Sequence, residues 1–314
     1  MRKLDEVTIE IIQKCFSECI FCSSLSSIDS HNQIPFSKIV DIISFCKEKG
    51  AHSICISGGE PLLHPDIADV LHYIDNCQLN AVLYTSGNVA RVSKRISLIS
   101  NSLQSNRLKF IVNYPSHDNK IYQQLINSNN FKISDLDNFL QLLMAFNIDV
   151  EVHLVPNRLN IDNLYATLLH LKNLGIKKAS LLRMVYQGRA KLNRDELFIN
   201  DTRALGDVIN KIISELCNNN FSVRLGVPFK KHTTQKIDCL AGVNKLIFRY
   251  DGVVFPCEAF KEAPDNEHYK LGDIYLDNLN DIWDNVKVHK EIETLKSNAL
   301  FKHESCPAQL LYSI

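Results

Sequence analysis

The chain predicts an α/β fold: a partial, TIM-like (β/α)6 barrel followed by a small cysteine-containing α+β extension. Two observations carry that reading. Short apolar runs alternate with helical stripes six times within roughly the first 190 residues, at spacings that suit parallel strands joined by helical crossovers. Eight such units would need about 250 residues, the usual size of a closed (β/α)8 barrel. Beyond that point the remaining segment is short, rich in cysteine and aromatic residues, and ill-suited to fold alone without a staple. The expected organisation is a barrel core over 1–195, a connecting helix and strand over 196–235, and the extension over 236–314.

The elements follow in order. Val7–Gln13 alternates about Ile9 and Ile11 and reads as the first strand. Ser37–Lys49 sets Ile39, Val40, Ile43 and Phe45 or Cys46 on one helical stripe. Ser53–Ser57 is the second strand, a helix runs from about Asp66 to Asn76, and Ala81–Tyr84 is the third strand, closed by the turn Thr85-Ser86-Gly87-Asn88. Arg107–Asn113 is the fourth strand and leads into a polar loop through His117 and Asp118. Ser134 and Asp135 supply N-cap chemistry for a helix reaching Phe146, before the fifth strand at Asp149–Val155. The helix Ile161–Leu174 stops at Gly175, a suitable C-cap, and Lys178–Met184 is the sixth strand. Next come an amphipathic helix over Asp201–Asn218, a strand over Phe221–Leu225 and a basic loop over Pro228–Lys236. Lys245–Tyr250 and Val253–Phe255 flank Asp251-Gly252, a favoured two-residue hairpin turn.

Composition narrows the function. The 314 residues are 45% hydrophobic, enough for one sizeable core. Thirty-five basic and 35 acidic residues cancel, so neither a nucleic-acid partner nor an anionic membrane is expected. No apolar run approaches 18 residues, and acidic residues come too early for an export signal. Ten cysteines without such a signal point to a reducing cytoplasm and to metal ligation rather than disulfides. The eleven histidines show no HxxxH or HExxH spacing, so a zinc hydrolase has no support.

After the first strand, Cys15-Phe-Ser-Glu-Cys19-Ile-Phe21-Cys22 places three thiols within eight residues. Thiolates this close can converge on one centre, and soft sulfur selects iron–sulfur clusters, zinc or Cu(I). A [4Fe–4S] cluster normally takes four protein thiolates, so a compact set of three leaves one iron open to a ligand that is not protein. Zinc and buried free thiols are the other readings. Zinc sites usually show two separated Cys/His pairs, and none follows here beyond His31. The second motif, Ser57-Gly58-Gly59-Glu60-Pro61, ends the second strand, where α/β sheets bind ligands. Its glycines allow close backbone approach to a ligand, and Glu60 offers an acceptor for an ammonium group. A sharp strand-to-helix turn would explain the glycines alone about as well.

On Cys15, Cys19 and Cys22, with aromatic Phe21 and then Gly58, Gly59 and Glu60, the chain resembles the radical S-adenosylmethionine (radical SAM) superfamily. The likeness is specific over residues 8 to about 115 and continues as pattern to about 190. It implies that the three thiolates hold a [4Fe–4S] cluster whose unique iron chelates the SAM amino and carboxylate groups. Gly58, Gly59 and Glu60 would contact that amino group. An electron from a reducing partner such as flavodoxin or ferredoxin would then cleave SAM to methionine and a 5′-deoxyadenosyl radical, which abstracts a substrate hydrogen. By the same likeness Thr85, Ser86 and Asn113 lie near the SAM ribose or methionine, and Arg183 faces the site from the sixth strand. Each has a plainer role open to it: a turn for Thr85–Asn88, a strand cap for Asn113, an ion pair with a helix for Arg183.

A third motif runs Cys239, twelve residues, Gly252, four residues, Cys257, with Cys306 further on. The hairpin between the first two would bring Cys257 back towards Cys239. This pattern, with Leu271-Gly-Asp-Ile-Tyr and Ile282-Trp283, resembles the twitch and SPASM extensions of radical SAM enzymes, which house auxiliary [4Fe–4S] clusters. The resemblance implies metal ligation by Cys239, Cys257 and Cys306. Relatives often end in Cys-Pro-x-Cys, whereas this chain reads Cys306-Pro307-Ala308-Gln309. An open iron, completion by Gln309, Cys217 or the C-terminal carboxylate, and loss of the second cluster all fit. Cys46, Cys55 and Cys77 read as packing residues, and Cys217 also as a hydrogen-donating thiol. The expected substrate is a ribosomal peptide, crosslinked, thioether-bridged or epimerised. A small molecule (sugar, aminocyclitol or nucleotide) is the alternative. A non-catalytic iron–sulfur electron carrier would explain the cysteines but not Gly58-Gly59-Glu60, and a zinc-stabilised binding module would explain only the last three.

Overall fold

The computed structural model describes residues 2–88, 92–102, 107–226, 239–301 and 306–312; the basic loop expected over Pro228–Lys236 lies outside the described residues. Six strands alternate with helices as the periodicity requires. They are β1 (Glu6–Ile12), β2 (Ser53–Gly58), β3 (Asn80–Thr85), β4 (Leu108–Asn113), β5 (Asp149–Leu154) and β6 (Lys178–Leu181), pairing in parallel in chain order. The crossovers are α1 (Phe36–Glu48), α2 (Ile67–Asn76), α3 (Val92–Ser102), α4 (Asn119–Ile126) with α5 (Ile133–Ala145), and α6 (Leu164–Leu174). Alternate strand residues such as Val7, Ile9, Ile54, Ile56, Leu83 and Val152 are fully buried in the main core. This is the burial a parallel sheet needs on its helix-covered face. The other face is polar. Thr8, Glu10, Ser57, Tyr84 and His153 point into the barrel interior and line its cavity. Cys55, with the same parity as Ser57, shares that face and is half-buried rather than part of the core; Cys46 in α1 is fully buried.

After β6 come two one-turn helices, α7 (Arg189–Leu192) and α8 (Arg194–Leu197), then α9 (Thr202–Leu216) and β7 (Ser222–Leu225). β7 adds in parallel to β6. β6 stops at Leu181, short of the expected Met184. Its partner strand ends beside it, where the Gly226 N–H donates to the Leu181 carbonyl. The released chain, from Leu182 to Gln187, turns over the cavity.

The extension comprises β8 (Lys245–Phe248), β9 (Val253–Phe255), β10 (Gly272–Asp273), α10 (Leu279–Trp283) and α11 (Val286–Phe301). It does not form a separate layer. β8 pairs in parallel with β1, from Glu6 opposite Lys245 to Ile9 opposite Phe248, and β9 and β10 continue antiparallel. The result is one ten-stranded sheet in the order β10-β9-β8-β1-β2-β3-β4-β5-β6-β7, open at β10 and β7. An exposed edge of β1 would leave a row of backbone groups unpaired. The extension's apolar Leu246, Ile247 and Phe248 cover it and are fully buried.

Candidate active site

The cysteine loop sits between β1 and α1 and is held by backbone contacts from three directions. Cys15 N–H donates to Ser27 O at 3.0 Å, and Ile20 N–H to Leu125 O at 3.0 Å. Arg189 grips the loop from α7: Nε donates to Cys19 O at 2.9 Å and Nη2 to Ser26 O at 2.6 Å. Its own N–H donates to Cys22 O at 2.8 Å. The preceding Gly188 (φ +56°) lies so close that a Cβ there would stand 2.7 Å from Cys22 O. Nothing in the sequence pointed to this clamp.

Gly58 and Gly59 serve the same loop. Gly59 N–H donates to Ile12 O at 2.6 Å and Glu60 N–H to Lys14 O at 2.9 Å. A Cβ on Gly58, whose φ is +142°, would fall 2.1 Å from Ile12 O, and one on Gly59 2.2 Å from Gln13 O. The close approach these glycines permit is therefore between two backbones, the end of β2 and the start of the cysteine loop. Gly58→Ala is expected to lose roughly 2–4 kcal/mol of stability from strain and overlap. Urea denaturation of the cluster-free chain would measure it. Gly206→Ala in α9, where no atom lies within 4 Å of the added carbon, is the control and should gain about 0.5–1 kcal/mol.

Glu60 is 0% exposed and does not line the cavity. Its Oε1 accepts from Thr85 Oγ1 (2.7 Å) and Leu62 N–H (3.2 Å), its Oε2 from Ser86 N–H (2.9 Å) and Ser86 Oγ (2.6 Å). Burial raises its pKa above the usual carboxylate range while those four donors oppose the rise. In this structure its carboxylate fixes the Thr85–Ser86 turn.

Those pieces enclose a cavity of about 500 Å³ at the C-terminal ends of the strands. Cys15, Cys19 and Cys22 line it with Phe21 between them. Gly58, Gly59, Thr85 and Ser86 form the next wall, and Asn113 and Arg183 the wall beyond. Burial pushes the Cys15 thiol up to about 12, with Glu60 and Cys22 adding to the rise. Cys19 is raised well above its usual range, first by burial and then by Cys15 and Cys22, while Arg189 pulls the other way. Burial disfavours ionisation of the Cys15 and Cys19 thiols, so a cationic centre is what would hold them as thiolates, and a donor set of three cysteines fits an iron–sulfur cluster. Three buried polar atoms of lining residues, Glu10 Oε2, Ser26 Oγ and Arg183 Nη1, have no partner among the described residues. Orphans of that kind are rare in folded chains, and here they suit a polar ligand.

Sequence reasoning missed the charges in the cavity. Lys261 follows β9, is 2% exposed, and its ammonium is bonded to Glu10 and to Ser24 Oγ (2.5 Å). On the far wall His153 Nε2 donates to Glu151 Oε1 at 3.1 Å, and Lys109 and Ser180 also bond that carboxylate, which stays well below the usual carboxylate range despite its burial. A polar residue inside each strand was the available signal.

In the second cysteine group, Cys239, Cys257 and Cys306 are half-buried; Cys306 acts electrostatically on Cys239 and Cys239 on Cys257. Burial raises Cys257 most, and the Lys245 ammonium opposes it. The Tyr312 hydroxyl, bonded to Gln187 Oε1 at 2.8 Å and to the Ala259 carbonyl, is an electrostatic neighbour of both Cys257 and Cys306. Cys217 ends α9 beside β7, at the opposite edge of the sheet, and is not among the cavity-lining residues. The side chain of Gln309 and the C-terminal carboxylate lie outside the described residues.

The sequence model of the radical SAM superfamily matches residues 9–188, more than half of the chain. The chain belongs to the radical SAM superfamily. A second match, to an iron–sulfur cluster-binding domain (SPASM), covers residues 239–308 and so includes Cys239, Cys257 and Cys306. The cofactors of this radical SAM chain are accordingly SAM and [4Fe–4S] clusters. It is similar to the PqqA peptide cyclase of Methylobacterium nodulans, 25% identical over 288 residues, 87% of this chain and 71% of that protein. It is also similar to the probable GTP 3′,8-cyclase of Methanococcus maripaludis, 29% identical over 89 residues. That stretch is 28% of this chain and spans less than a third of the relative, 30% of its length. Among solved structures, Streptococcus suis SuiB bound to S-adenosylmethionine superposes with a TM-score of 0.74 at 17% identity, over 94% of this chain and 68% of SuiB. Native anSMEcpe with bound AdoMet gives 0.68 at 15% identity, over 93% and 83%. At those identities the structural likeness establishes the fold. Among the described residues, no helix of this radical SAM chain is long and apolar enough to cross a membrane.

Proposed function

We propose that this chain reductively cleaves SAM and uses the resulting radical chemistry to modify a ribosomal peptide by crosslinking, thioether formation or epimerisation. One observation carries the reading. A single cavity runs from Cys15, Cys19 and Cys22 to Lys245 and Glu258, beside Cys257, so a substrate inside it lies between the two cysteine groups. When bound, the first cluster with SAM supplies the hydrogen-abstracting radical and the second a one-electron acceptor. The chain's own residues do the rest. Cys15, Cys19 and Cys22 hold the first cluster, and Cys239, Cys257 and Cys306 the second. Phe21, Gly58, Gly59, Thr85, Ser86 and Asn113 shape the SAM pocket, Glu60 positions its turn, and Arg183 offers an unpaired guanidinium nitrogen to an anionic group. Residues 1–195 would form the core, 196–235 the connection and 236–314 the auxiliary-cluster domain. We place the protein in the cytoplasm with flavodoxin or ferredoxin as reductant.

The peptide class draws support from PqqA peptide cyclase and from the SuiB structure bound to the precursor peptide SuiA. The probable GTP cyclases favour a nucleotide instead. The cavity's charges weigh against that. A triphosphate needs several free cations, yet Lys245 is paired with Glu6 and Glu258, and Lys261 with Glu10. Among the described cavity cations only Arg183 has no carboxylate partner.

Anaerobic reconstitution with iron and sulfide tests the reading. About eight irons per chain are expected, four for each cluster, and SAM with dithionite should release 5′-deoxyadenosine. A protein that binds iron yet never cleaves SAM is an electron carrier. A short peptide encoded beside this gene should then return with altered mass; an unchanged peptide and a consumed sugar or nucleotide would move the substrate to the small-molecule class.

A further inference from the structure

The lysine and glutamate at the extension side of the cavity also abut the second cysteine group. Lys245 opens β8 opposite Glu6, and its mostly buried ammonium contacts Glu6 Oε2 and Glu258 Oε2, each at 2.8 Å. Glu258 Oε1 accepts from Thr8 Oγ1 at 2.6 Å, so the carboxylate is anchored to β1. Glu258 Oε2 stands 3.5 Å from Cys257 Sγ. Lys245 is an electrostatic neighbour of Cys257 and also of Cys239. Lys296, the other cation near Cys239, is tied to the exposed Glu293. One cation and one anion thus touch both the cavity wall and the surroundings of one sulfur.

A thiolate-held cluster becomes one charge more negative when reduced, and nearby charge and hydrogen bonding at its sulfurs set how readily it accepts the electron. Partly buried charges are screened little by solvent ions. We propose that Lys245 and Glu258 form a charge couple that sets the electron affinity of the cluster held by Cys239, Cys257 and Cys306, Lys245 favouring the reduced form and Glu258 opposing it. Because both line the cavity, a substrate group that engages either one changes the field at Cys257. One electron enters the oxidised cluster, no bond is made or broken, and Lys245 keeps its proton. The inference rests on the reading that the second cysteine group holds a cluster.

The test is a redox titration of the reconstituted full-length chain with dithionite, followed by EPR. Cys306→Ala identifies which couple belongs to the N-terminal cluster. Lys245→Met should move the auxiliary couple to more negative potential and Glu258→Gln to more positive. Each shift should be about 59 mV, the one-electron equivalent of a tenfold change in the electron-transfer equilibrium. Lys245→Arg keeps the charge and should titrate like the wild type. Unchanged potentials, or shifts of the same sign in both variants, overturn the proposal. Should Lys245→Met hold no second cluster, the Glu258→Gln shift decides: positive supports, zero or negative overturns. A wild type with a single couple overturns the underlying two-cluster reading instead, which separates the two failures.

Discussion

Cys22→Ala is expected to abolish dithionite-dependent 5′-deoxyadenosine formation and to remove about four irons per chain. The loss should be at least about a thousandfold, some 4 kcal/mol of barrier at 1.36 kcal/mol per decade. On the proposed reading, Cys15, Cys19 and Cys22 are the protein ligands at this end of the cavity among the described residues, and two thiolates should not hold a four-iron cluster. The loop itself should survive. Its shape depends mainly on backbone groups, on Arg189 reaching the Cys19 and Ser26 carbonyls, and on the Gly59 N–H to Ile12 bond, while the Cys22 sulfur accepts one long contact from the Ser24 N–H at 3.4 Å. Circular dichroism should therefore match the wild type while the iron count falls. Cys46→Ala is the control: that thiol is fully buried in α1, so its removal costs about 1 kcal/mol of packing and no iron. If Cys22→Ala retained SAM cleavage, the assignment of the N-terminal trio would be wrong.

Much of this architecture was legible because it rests on local periodicity. Alternation in Val7–Gln13 and Ser53–Ser57 marks strands whose apolar half meets helices. The three-cysteine spacing marks a ligand set without reference to any distant residue. What escaped falls into two physical kinds. Some helices carry too little apolar stripe to register. α11 buries Val288, Ile292 and Ala299 amid charged positions, and α4 is eight residues long behind Asp118, which read as loop because a capping aspartate looks like one. The other kind is long-range pairing. Nothing local in Lys245–Phe248 says that it will zip to β1, 239 residues earlier in the chain. Likewise the sequence offers Glu60 as an acceptor for an ammonium group but does not show its protein partners: three of its four acceptor contacts depend on where Thr85 and Ser86 arrive, 25 and 26 residues later. The polar interior followed the same rule: Glu10 and His153 each interrupt an apolar strand, and only the assembled sheet turns both towards one cavity.

Cys257→Ala is expected to leave SAM cleavage within about threefold of the wild type (under 1 kcal/mol of barrier), to cut iron from about eight to about four per chain, and to stop peptide modification. The extension does reach the first site: Lys261 bonds Ser24 and Glu10, and Tyr250 donates to the Ser24 carbonyl at 3.3 Å. If the second cluster were what positions those two residues, losing it would also disorder the SAM pocket. The structure argues otherwise. Tyr250 and Lys261 flank β9, whose hairpin with β8 is sealed by fully buried Phe248, Val254 and Phe255 and joined to β1 by a parallel ladder. That packing amounts to several kcal/mol of apolar burial, at about 1.5–3 kcal/mol per large side chain, and needs no metal. The distal segment bearing Cys306 has fewer ties: Ala308 is buried in the main core and the Tyr312 hydroxyl bonds Gln187 and the Ala259 carbonyl, and on the proposed reading the cluster supplies the rest. Removing Cys257 should therefore loosen the stretch around 306–312 to hydrogen exchange while β1, β8 and β9 stay protected. An iron content unchanged by Cys257→Ala would show that the chain carries one cluster. Loss of SAM cleavage in parallel with iron would show instead that the extension's fold, and with it the Lys261–Glu10 contact, depends on the metal.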